Sequence, residues 1–229
     1  MSLLRRAAPA ARTLAALLVK RGLAALLWLA WRSGLNSFAP RHGDTPGRYY
    51  IDTFLARYAA ECRGVFLEFG DTRYRDRFDR QAITRYDVLD ITPRPAVTIV
   101  GDIQRCPQIP DATYDVIVCT QVLEHVPNPF LAAAELCRIL KPGGRLLLTV
   151  PAAFPYHPAP GDYWRFSRDS LRLLFEERLG EIHIETFGNR LTVVGAYWHW
   201  MCHHIPPAAL DAPDPHNPYI VALYGRKTI

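Results

Sequence analysis

Residues 114–126 read YDVIVCTQVLEHV, an apolar run that opens into polar residues. A short apolar run without alternation predicts a strand that is buried on both faces, as in a parallel sheet. Three similar runs precede it along the chain: GVFLEFGD (64–71), RYDVLDI (85–91) and VTIVGDI (97–103). Because ligands of open parallel sheets bind at the carboxyl ends of the strands, the polar residues that close these runs are the candidate functional residues.

The rest of the chain predicts an α/β fold. A helix is expected over 128–140, and LKPGG (140–144) is expected to end it before the strand RLLLTVP (145–151). Another helix is expected from Tyr49 to Cys62, ahead of the first strand. The runs IHIETFG (182–188) and YIVALYG (219–225) predict two further strands, with a helix over 169–180 before them and RLTVVGAYWHWMCHHI (190–205) as a helical insert between them.

Charge is distributed unevenly along the 229 residues, which carry a net +5. Seven cations and no acid precede Asp44, so residues 44–229 hold 20 cations against 22 acids. Nothing in that part indicates a nucleic-acid-binding surface. The five cysteines form no C-x-x-C pair and lie mostly in apolar runs, which indicates reduced, buried thiols in a cytoplasmic protein.

The N-terminal segment LAALLVKRGLAALLWLAW (14–31) predicts a basic amphipathic helix. Lys20 and Arg21 interrupt it, and each central cation costs about 2.5–3.5 kcal/mol in a bilayer, so a spanning helix is disfavoured. Peripheral membrane contact through residues 11–32, packing on the domain or a partner, and a mitochondrial transit peptide stay open, with a secretory signal a weaker alternative. Residues 32–48 predict a linker. The expected division is a helix and linker over 1–43 and a catalytic domain over 44–229.

From Glu68, Asp90, Asp102 and QVLEH (121–125), the chain resembles a class I S-adenosylmethionine (SAM) dependent methyltransferase of type 11. The resemblance implies a Rossmann-like sheet of seven strands with the last antiparallel, helices on both faces, and SAM as cofactor. Such enzymes usually carry two or three glycines after the first strand, where Gly70 stands alone. The chain is in this respect similar to a glycine-poor subset often associated with glycosyltransferase and polysaccharide functions.

The resemblance assigns the cofactor residues. Asp90, about twenty residues after the first turn, is expected to bind the ribose hydroxyls, and Asp102 with Ile103 the adenine. Asp90 could instead be a turn residue before Pro93, and Asp102 a loop residue that binds its own backbone. Asp87 competes with Asp90 but lies inside the strand. Glu68 is expected to attract the ammonium group of the cofactor, with the remaining contacts from Gly70, Asp71, Thr120 and Gln121.

The acceptor is expected to bind beside the aromatic loop PAAFPYHPAPGDYWRF (151–166), through Tyr156, Asp162, Tyr163, Trp164 and Arg165. An Asp162–Arg165 ion pair that only holds the loop is an equal alternative. If the acceptor is a hydroxyl, His125 or His157 could take its proton, although His125 could also pack beneath the cofactor. His199 and His203 at helical spacing, with Cys202 and His204, lack a further ligand cluster, so no metal site is predicted.

The sequence thus predicts a SAM-dependent methyltransferase that acts on a small or sugar-like hydroxylated acceptor. The alternative from another class is a non-catalytic domain of the same fold that docks on a membrane or a glycosyltransferase partner, which the single Gly70 would favour. A Rossmann oxidoreductase is disfavoured because no G-x-G-x-x-G follows the first strand. The sequence makes no prediction of oligomeric state.

Overall fold

The computed structural model describes residues 2–32, 44–158 and 160–228. The chain divides into two compact units, Met1–His42 and Gly43–Ile229. Most of the predicted linker, 33–43, lies outside the described residues. The boundary between the two predicted regions therefore stays a prediction.

The first unit contains the predicted N-terminal helix, α1 (Ser2–Arg32). Its apolar surface is not a single stripe, since the consecutive residues Leu17, Leu18 and Val19 are all exposed. Among the described residues, no helix combines the length and the apolar character needed to cross a bilayer.

The second unit is built on a seven-stranded sheet in the order β3-β2-β1-β4-β5-β7-β6. Strand β7 is antiparallel to its neighbours β5 and β6, while β1 pairs parallel with both β2 and β4. The predicted sheet is confirmed. The strands are β1 (Gly64–Phe69), β2 (Ile83–Asp90), β3 (Ile99–Val100), β4 (Tyr114–Thr120), β5 (Leu140–Pro151), β6 (Glu181–Phe187) and β7 (Ile220–Arg226).

Helices cover both faces of this sheet, as predicted. Helices α2 and α5 pack into the apolar core on one face, and α3 and α4 into the core on the other. All five cysteines are free; four are buried and Cys202 is half-buried. The helices of this unit are α2 (Pro46–Tyr58), α3 (Pro129–Ile139), α4 (Arg168–Phe175), α5 (Arg190–Tyr197) and the short α6 (Pro207–Leu210).

Helix α2 begins earlier than predicted, inside the expected linker. The Thr45 hydroxyl accepts a hydrogen bond from the Arg48 amide (3.2 Å), and Pro46 occupies the first turn, where its missing N–H is not needed. The apolar spacing alone placed the start at Tyr49, because the two residues that begin the helix carry no apolar signal.

The expected LKPGG turn also differs from the structure, since β5 already begins at Leu140. The pairing of β5 with β4 shifts register between Leu140 and Arg145, which accommodates the extra residues of LKPGG within the strand.

The connection between β1 and β2 contains no α-helix. All of residues 70–82 are described, and they form two 3-10 turns, Arg75–Arg77 and Arg80–Ala82. Two aromatic side chains, Tyr74 and Phe78, fill the space beside the sheet that a crossover helix would otherwise cover, and the ring of Phe78 lies 5.1 Å from that of Phe66.

An ion pair fixes the same connection to α2. The guanidinium of Arg77 donates two hydrogen bonds to Asp52, at 2.9 and 2.8 Å. Such a bidentate pair restricts orientation as well as distance. The crossover is therefore held from the sheet side by aromatic packing and from the helix side by Arg77.

We expect Phe78→Ala to lower the free energy of unfolding by about 3–5 kcal/mol, because the truncation leaves a cavity that no crossover helix can move to fill. Urea denaturation followed by circular dichroism measures this change. Leu173→Ala is the matched control, since Leu173 is exposed on α4. Equal small losses in both variants would show that Phe78 does not anchor the crossover.

Candidate active site

A cavity of about 450 Å³ opens at the carboxyl ends of the central strands. It lies where the strand order reverses, since the chain runs outward from β1 to β3 and returns to β4 on the other side of β1. Its volume suits a small organic ligand. The lining residues are Phe69, Gly70, Leu89, Asp90, Ile91, Arg94, Gly101, Asp102, Ile103, Gln104, Thr120, Gln121, Val122, His125, Val126, Pro127, Pro160 and Tyr163.

Gly70 turns the chain at the end of β1. Its φ of +80° lies in the left-handed region, and its amide donates to the Leu89 carbonyl at 3.0 Å. A Cβ at this position would lie 3.8 Å from Oδ2 of Asp90. The glycine therefore brings the bare backbone beside the Asp90 carboxylate.

Asp90 closes β2 and is held by its own turn. Its Oδ1 accepts from the Thr92 amide at 2.8 Å, and Arg94 lies 3.7 Å from Oδ2. This is the turn contact expected as the alternative role. An ionised carboxylate has about four acceptor positions, so the turn leaves capacity for the hydroxyls of a ligand in the cavity.

Asp102 follows β3 and is fixed by Gln104. It accepts from the Gln104 amide and from Nε2 of the same side chain, both at 2.8 Å. Oε1 of Gln104 in turn accepts from the amide of Asn128, the residue that caps α3. The backbone contact is the one expected as an alternative, and Asp102 with Ile103 nevertheless lines the cavity.

Glu68 lies behind the cavity and does not line it. Its carboxylate is almost fully buried and accepts hydrogen bonds from the Tyr74 amide at 3.1 Å and from the Tyr86 hydroxyl. Burial raises the pKa of Glu68 to about 7, while these two hydrogen bonds act in the opposite direction. The structure shows Glu68 as an anchor of the β1–β2 connection, and its predicted contact with an ammonium group stays a prediction.

Asp71 is a second residue of the predicted cofactor set that lies outside the cavity lining. Its carboxylate accepts from the amide of Arg73 at 2.8 Å and from its guanidinium at 3.2 Å. Its predicted contact with the cofactor also stays a prediction.

Gln121 holds a strained position after β4. Its φ is +53°, which is uncommon for a residue other than glycine and often marks functional sites. Its amide donates to the Thr149 carbonyl at 2.8 Å, and its side chain to the Thr149 hydroxyl at 3.2 Å. Strand β5 thus holds both Gln121 and the adjacent Thr120 at the cavity wall.

His125 lies in a 3-10 turn, Leu123–His125, and lines the cavity. Its Nδ1 lies 2.5 Å from the Gly161 carbonyl oxygen, which can only accept a hydrogen bond. The proton of the neutral ring is therefore on Nδ1, and Nε2 carries the lone pair.

The two predicted bases come together. The ring centroids of His125 and His157 lie 4.8 Å apart, although His157 does not line the cavity. Burial, and secondarily the neighbouring His125, lower the pKa of His157, which favours its neutral form.

Glu124 was not among the residues predicted for the site. Its side chain is fully buried, and neither carboxyl oxygen has a hydrogen-bond partner among the described residues. Oε1 lies 3.9 Å from Nε2 of His125. Burial raises the pKa of Glu124 to about 8. The signal in the sequence was an acid inside the apolar run VLEHV, directly before a histidine.

Within the acceptor loop, Asp162 and Arg165 bind each other. The two side chains form hydrogen bonds of 2.5 and 2.8 Å, and Arg165 also donates to the carbonyls of Phe154, Pro155 and Trp164. This ion pair holds the pKa of Asp162 well below its usual range. Neither residue lines the cavity, so the observed contacts are those of the loop-stabilising alternative.

The three aromatic residues predicted for the acceptor are placed differently from one another. Tyr163 lines the cavity, and its amide donates to the Glu124 carbonyl at 2.8 Å. The indole N–H of Trp164 donates to the Val126 carbonyl at 2.9 Å. Tyr156 is 76% exposed and lies outside the cavity lining. Only Tyr163 is thus positioned to contact a ligand in this cavity.

The predicted helix over 190–205, which would carry His199 and His203, is too long. Helix α5 ends at Tyr197, His199 has a φ of +55°, and Cys202–His204 form a separate 3-10 turn. The two histidines therefore do not share a helix face. In the described part of the chain, the residues that bring three metal-ligating atoms together are Glu124, His125 and His157.

Comparison with known proteins identifies the family. The sequence model of a methyltransferase domain family matches residues 41–183, which is more than half of the chain. The chain belongs to this methyltransferase family. The predictions of a class I methyltransferase fold and of a SAM-dependent methyltransferase are confirmed, whereas the glycine-poor subset stays a prediction.

Curated relatives match the methyltransferase over a short stretch. A ubiquinone biosynthesis O-methyltransferase of Xanthomonas oryzae pv. oryzae is 38% identical over 55 residues, 22% of this chain and 23% of that protein. An uncharacterised 37.1 kDa protein in a transposon of Streptomyces fradiae is 43% identical over 58 residues, 25% of this chain and 16% of that protein. The matches thus span about a quarter or less of these relatives.

Solved structures resemble the methyltransferase over most of the chain. A SAM-dependent methyltransferase from Archaeoglobus fulgidus is 15% identical, with a TM-score of 0.54 and coverage of 79% of this chain and 94% of that one. The N-methyltransferase NodS from Bradyrhizobium japonicum WM9, in complex with S-adenosylhomocysteine, is 16% identical, with a TM-score of 0.54 and coverage of 80% and 89%. At these identities the similarity concerns the fold.

The residues around the cavity fit SAM, the cofactor of this family. Asp90 offers a carboxylate for ribose hydroxyls beside Gly70, where no side chain obstructs the approach. Asp102 and Ile103 offer a polar and an apolar contact on the neighbouring loop. The deviation in glycine content does not close the site, since the single Gly70 already makes the turn.

The raised pKa of Glu124 has a consequence for stability. Between about pH 4.5 and pH 8 the folded chain keeps the Glu124 proton while the unfolded chain loses it, so this group lowers the unfolding free energy as pH rises and adds no further change above that range. With divalent cations removed, we expect Glu124→Gln to gain stability relative to wild type by on the order of 2–4 kcal/mol between pH 5 and pH 8.

Urea denaturation of both proteins at the two pH values measures this gain. Only the change in unfolding free energy between the two pH values is compared, so any pH-independent effect of Glu124→Gln on stability cancels. Glu177→Gln, at an exposed position, is the control and should follow wild type. A Glu124→Gln protein that also follows wild type would show that Glu124 is ionised in the folded chain.

Proposed function

We propose that this protein transfers a methyl group from SAM to a hydroxyl of a small or sugar-like acceptor. The observation that carries the proposal is the position of His125. Its ring lines the same cavity as Asp90 and Asp102, and the hydrogen bond from Nδ1 to Gly161 leaves Nε2 free to accept a proton.

The chemistry divides between cofactor and protein. SAM supplies an electrophilic methyl group on a sulfonium; the acceptor oxygen gains that methyl and loses its proton, and S-adenosylhomocysteine is released. The protein has to orient the two reactants and exclude water, and such positioning accounts for much of the rate gain in transfers of this kind. Asp90, Asp102 and Gln121 would orient the cofactor, and His125, with His157 behind it, would receive the proton.

Two observations support an oxygen acceptor of modest size. The loop over 151–166 is held by the half-buried Asp162–Arg165 pair, and its Pro160 and Tyr163 form part of the cavity wall. The short match to a protein named for O-methylation favours oxygen over nitrogen. The charge balance of residues 44–229, 20 cations against 22 acids, does not favour a nucleic-acid acceptor.

The proposal places the reaction in the cytoplasm. The exposed apolar residues of α1, among them Leu23, Leu26 and Trp28, support a peripheral contact of residues 11–32 with a membrane surface. The surface that residues 11–32 contact could instead belong to a partner protein. The family match favours an enzyme over the non-catalytic scaffold that the sequence left open.

We expect the full-length protein to bind S-adenosylhomocysteine in calorimetric titration and Asp90→Asn to weaken binding about 10- to 100-fold. Hydrogen bonds to a charged acceptor contribute about 1.5–3 kcal/mol, which corresponds to that range. Asp76→Asn is the control, because Asp76 is exposed and pairs with Arg80 outside the cavity. Absence of binding in folded wild-type protein would contradict the proposed function.

A panel of sugars, phenols and small amines tests the acceptor class. We expect methylated product, detected by mass spectrometry together with S-adenosylhomocysteine, from hydroxylated compounds. His125→Gln should lower kcat by about 10²–10⁴-fold, the usual contribution of a general base, without changing S-adenosylhomocysteine binding. The exposed His183→Gln is the matched control. Methylation of amines alone, or cofactor binding without transfer to any hydroxylated compound, would contradict the proposed acceptor.

A further inference from the structure

We propose that Glu124, His125 and His157 form a binding site for a divalent transition-metal cation, such as Zn²⁺, at the wall between the cofactor cavity and the acceptor loop. One ligating atom from each side chain lies within 4.8 Å of the others. A carboxylate with two imidazoles is a donor set that Zn²⁺ and related divalent cations accept.

The buried Glu124 carboxylate is the observation that points to a ligand. It has no exposed surface, and both oxygens lack a partner among the described residues, although buried polar groups are nearly always paired. Leaving a carboxyl group in this state costs free energy. A cation beside Glu124 would satisfy it.

The neighbouring His125 cannot satisfy Glu124 as a donor. Its proton is on Nδ1, toward Gly161, so the nitrogen that faces Glu124 carries a lone pair. Nε2 of His125 and Oε1 of Glu124 lie 3.9 Å apart, too far for a direct hydrogen bond in either direction. In a tetrahedral site with bonds of about 2.1 Å the ligand atoms lie about 3.4 Å apart, so a small side-chain rotation would close the distance around a cation.

The surroundings of both histidines match those of metal ligands. A metal-binding histidine usually donates its other N–H to a carbonyl or a carboxylate, and the contact from His125 to Gly161 has this form. Nδ1 of His157 is buried, has no hydrogen-bond partner among the described residues, and lies 3.6 Å from Oδ2 of Asp162. The second carboxylate is thus placed to support His157 from behind.

The charges around the site also favour a cation. Glu124 would bind a cation after losing its proton, and Asp162 is the other nearby anion; Arg165, the nearby cation, is already paired with Asp162. Histidines bind metals in their neutral form, so the two imidazoles would add no charge. The described groups therefore leave one negative charge uncompensated when Glu124 is ionised, in a low-dielectric interior where that charge is costly.

A cation at this site would act on the acceptor, a role that rests on the proposed function, whereas binding itself does not. Three protein ligands leave a coordination position open in a tetrahedral site. With Nε2 of His125 bound to the cation, the cation would replace His125 as the group that promotes proton loss. Because His125 lines the cavity, an acceptor hydroxyl that reaches the open position would be polarised and would release its proton to solvent more readily. The proposal thus narrows the acceptor to compounds with a metal-binding hydroxyl, such as a catechol or a vicinal diol.

The first experiment measures metal binding to the untagged full-length protein without SAM or acceptor. We expect chelator-treated protein to bind one equivalent of Zn²⁺ by calorimetry, and Co²⁺ to give visible absorption bands. Removing a residue that hydrogen-bonds to a metal ligand typically lowers metal affinity about 10–100-fold. Loss of a ligand itself, in Glu124→Gln or His157→Gln, should therefore weaken Zn²⁺ binding by about 100-fold or more. His203→Ala is the control, because His203 and His204 are neighbouring histidines outside the site.

Binding that persists in Glu124→Gln and His157→Gln, or that disappears in His203→Ala, would overturn the proposal. S-Adenosylhomocysteine titration of the same variants reports whether they are folded, and separates this outcome from failure of the cofactor site. If Glu124→Gln binds neither Zn²⁺ nor S-adenosylhomocysteine, the decision rests on His157→Gln.

The open coordination position has its own test, in which pyrocatechol is added to the Co²⁺-loaded protein. We expect the Co²⁺ absorption bands to shift as the two hydroxyls approach the metal. Unchanged bands would show that the metal site is closed, and would overturn its role toward the acceptor.

Discussion

Parallel pairing of β1 with β2 on one side and with β4 on the other determines where the functional residues lie. The carboxyl ends of these strands meet at one edge, and the reversal of strand order opens a gap there. Gly70, Asp90 and Gln121 reach the gap because each directly follows or ends a strand. The sheet does not need the helix that usually connects β1 with β2, since Tyr74 and Phe78 supply the apolar cover.

Two buried glutamates, Glu68 and Glu124, differ in their hydrogen-bond partners. Burial raises the pKa of both, to about 7 for Glu68 and about 8 for Glu124. Glu68 has a backbone amide and a tyrosine hydroxyl as partners, which fix the loop after β1. Glu124 has no such partner among the described residues. The contacts of the first are therefore explained by the fold, and the missing partners of the second motivate the proposed cation site.

Sequence patterns predicted the strands well and the ends of helices less well. An apolar run of five to seven residues is a strong signal, and β1, β2 and β4 lie where such runs were found. Helix boundaries depend on single hydrogen bonds, such as the one from Arg48 to Thr45 that starts α2. The end of α5 at Tyr197 had no clear stop signal, because the aromatic residues that follow continue the apolar pattern.

In the site, too, some features could be predicted from the sequence and others could not. The placement of Asp90, Asp102 and Gln121 at the cavity could be predicted, because it follows from their position at the ends of strands. The roles of Asp162 and Arg165 could not be decided, since an ion pair within a loop and a pair that binds an acceptor have the same sequence. The structure shows them bound to each other, and Arg165 also donates to loop carbonyls.

The sequence by itself determined the order of strands and helices, the family, and the residues at the strand ends, because these depend on local periodicity and on position along the chain. Only the tertiary structure decided which side chains meet. Glu124 and His157 are far apart in sequence, and the path of the loop over 151–166 brings His157 back to His125. Burial and missing partners are properties of that packing, so the unsatisfied carboxylate of Glu124 appears only when the chain is folded.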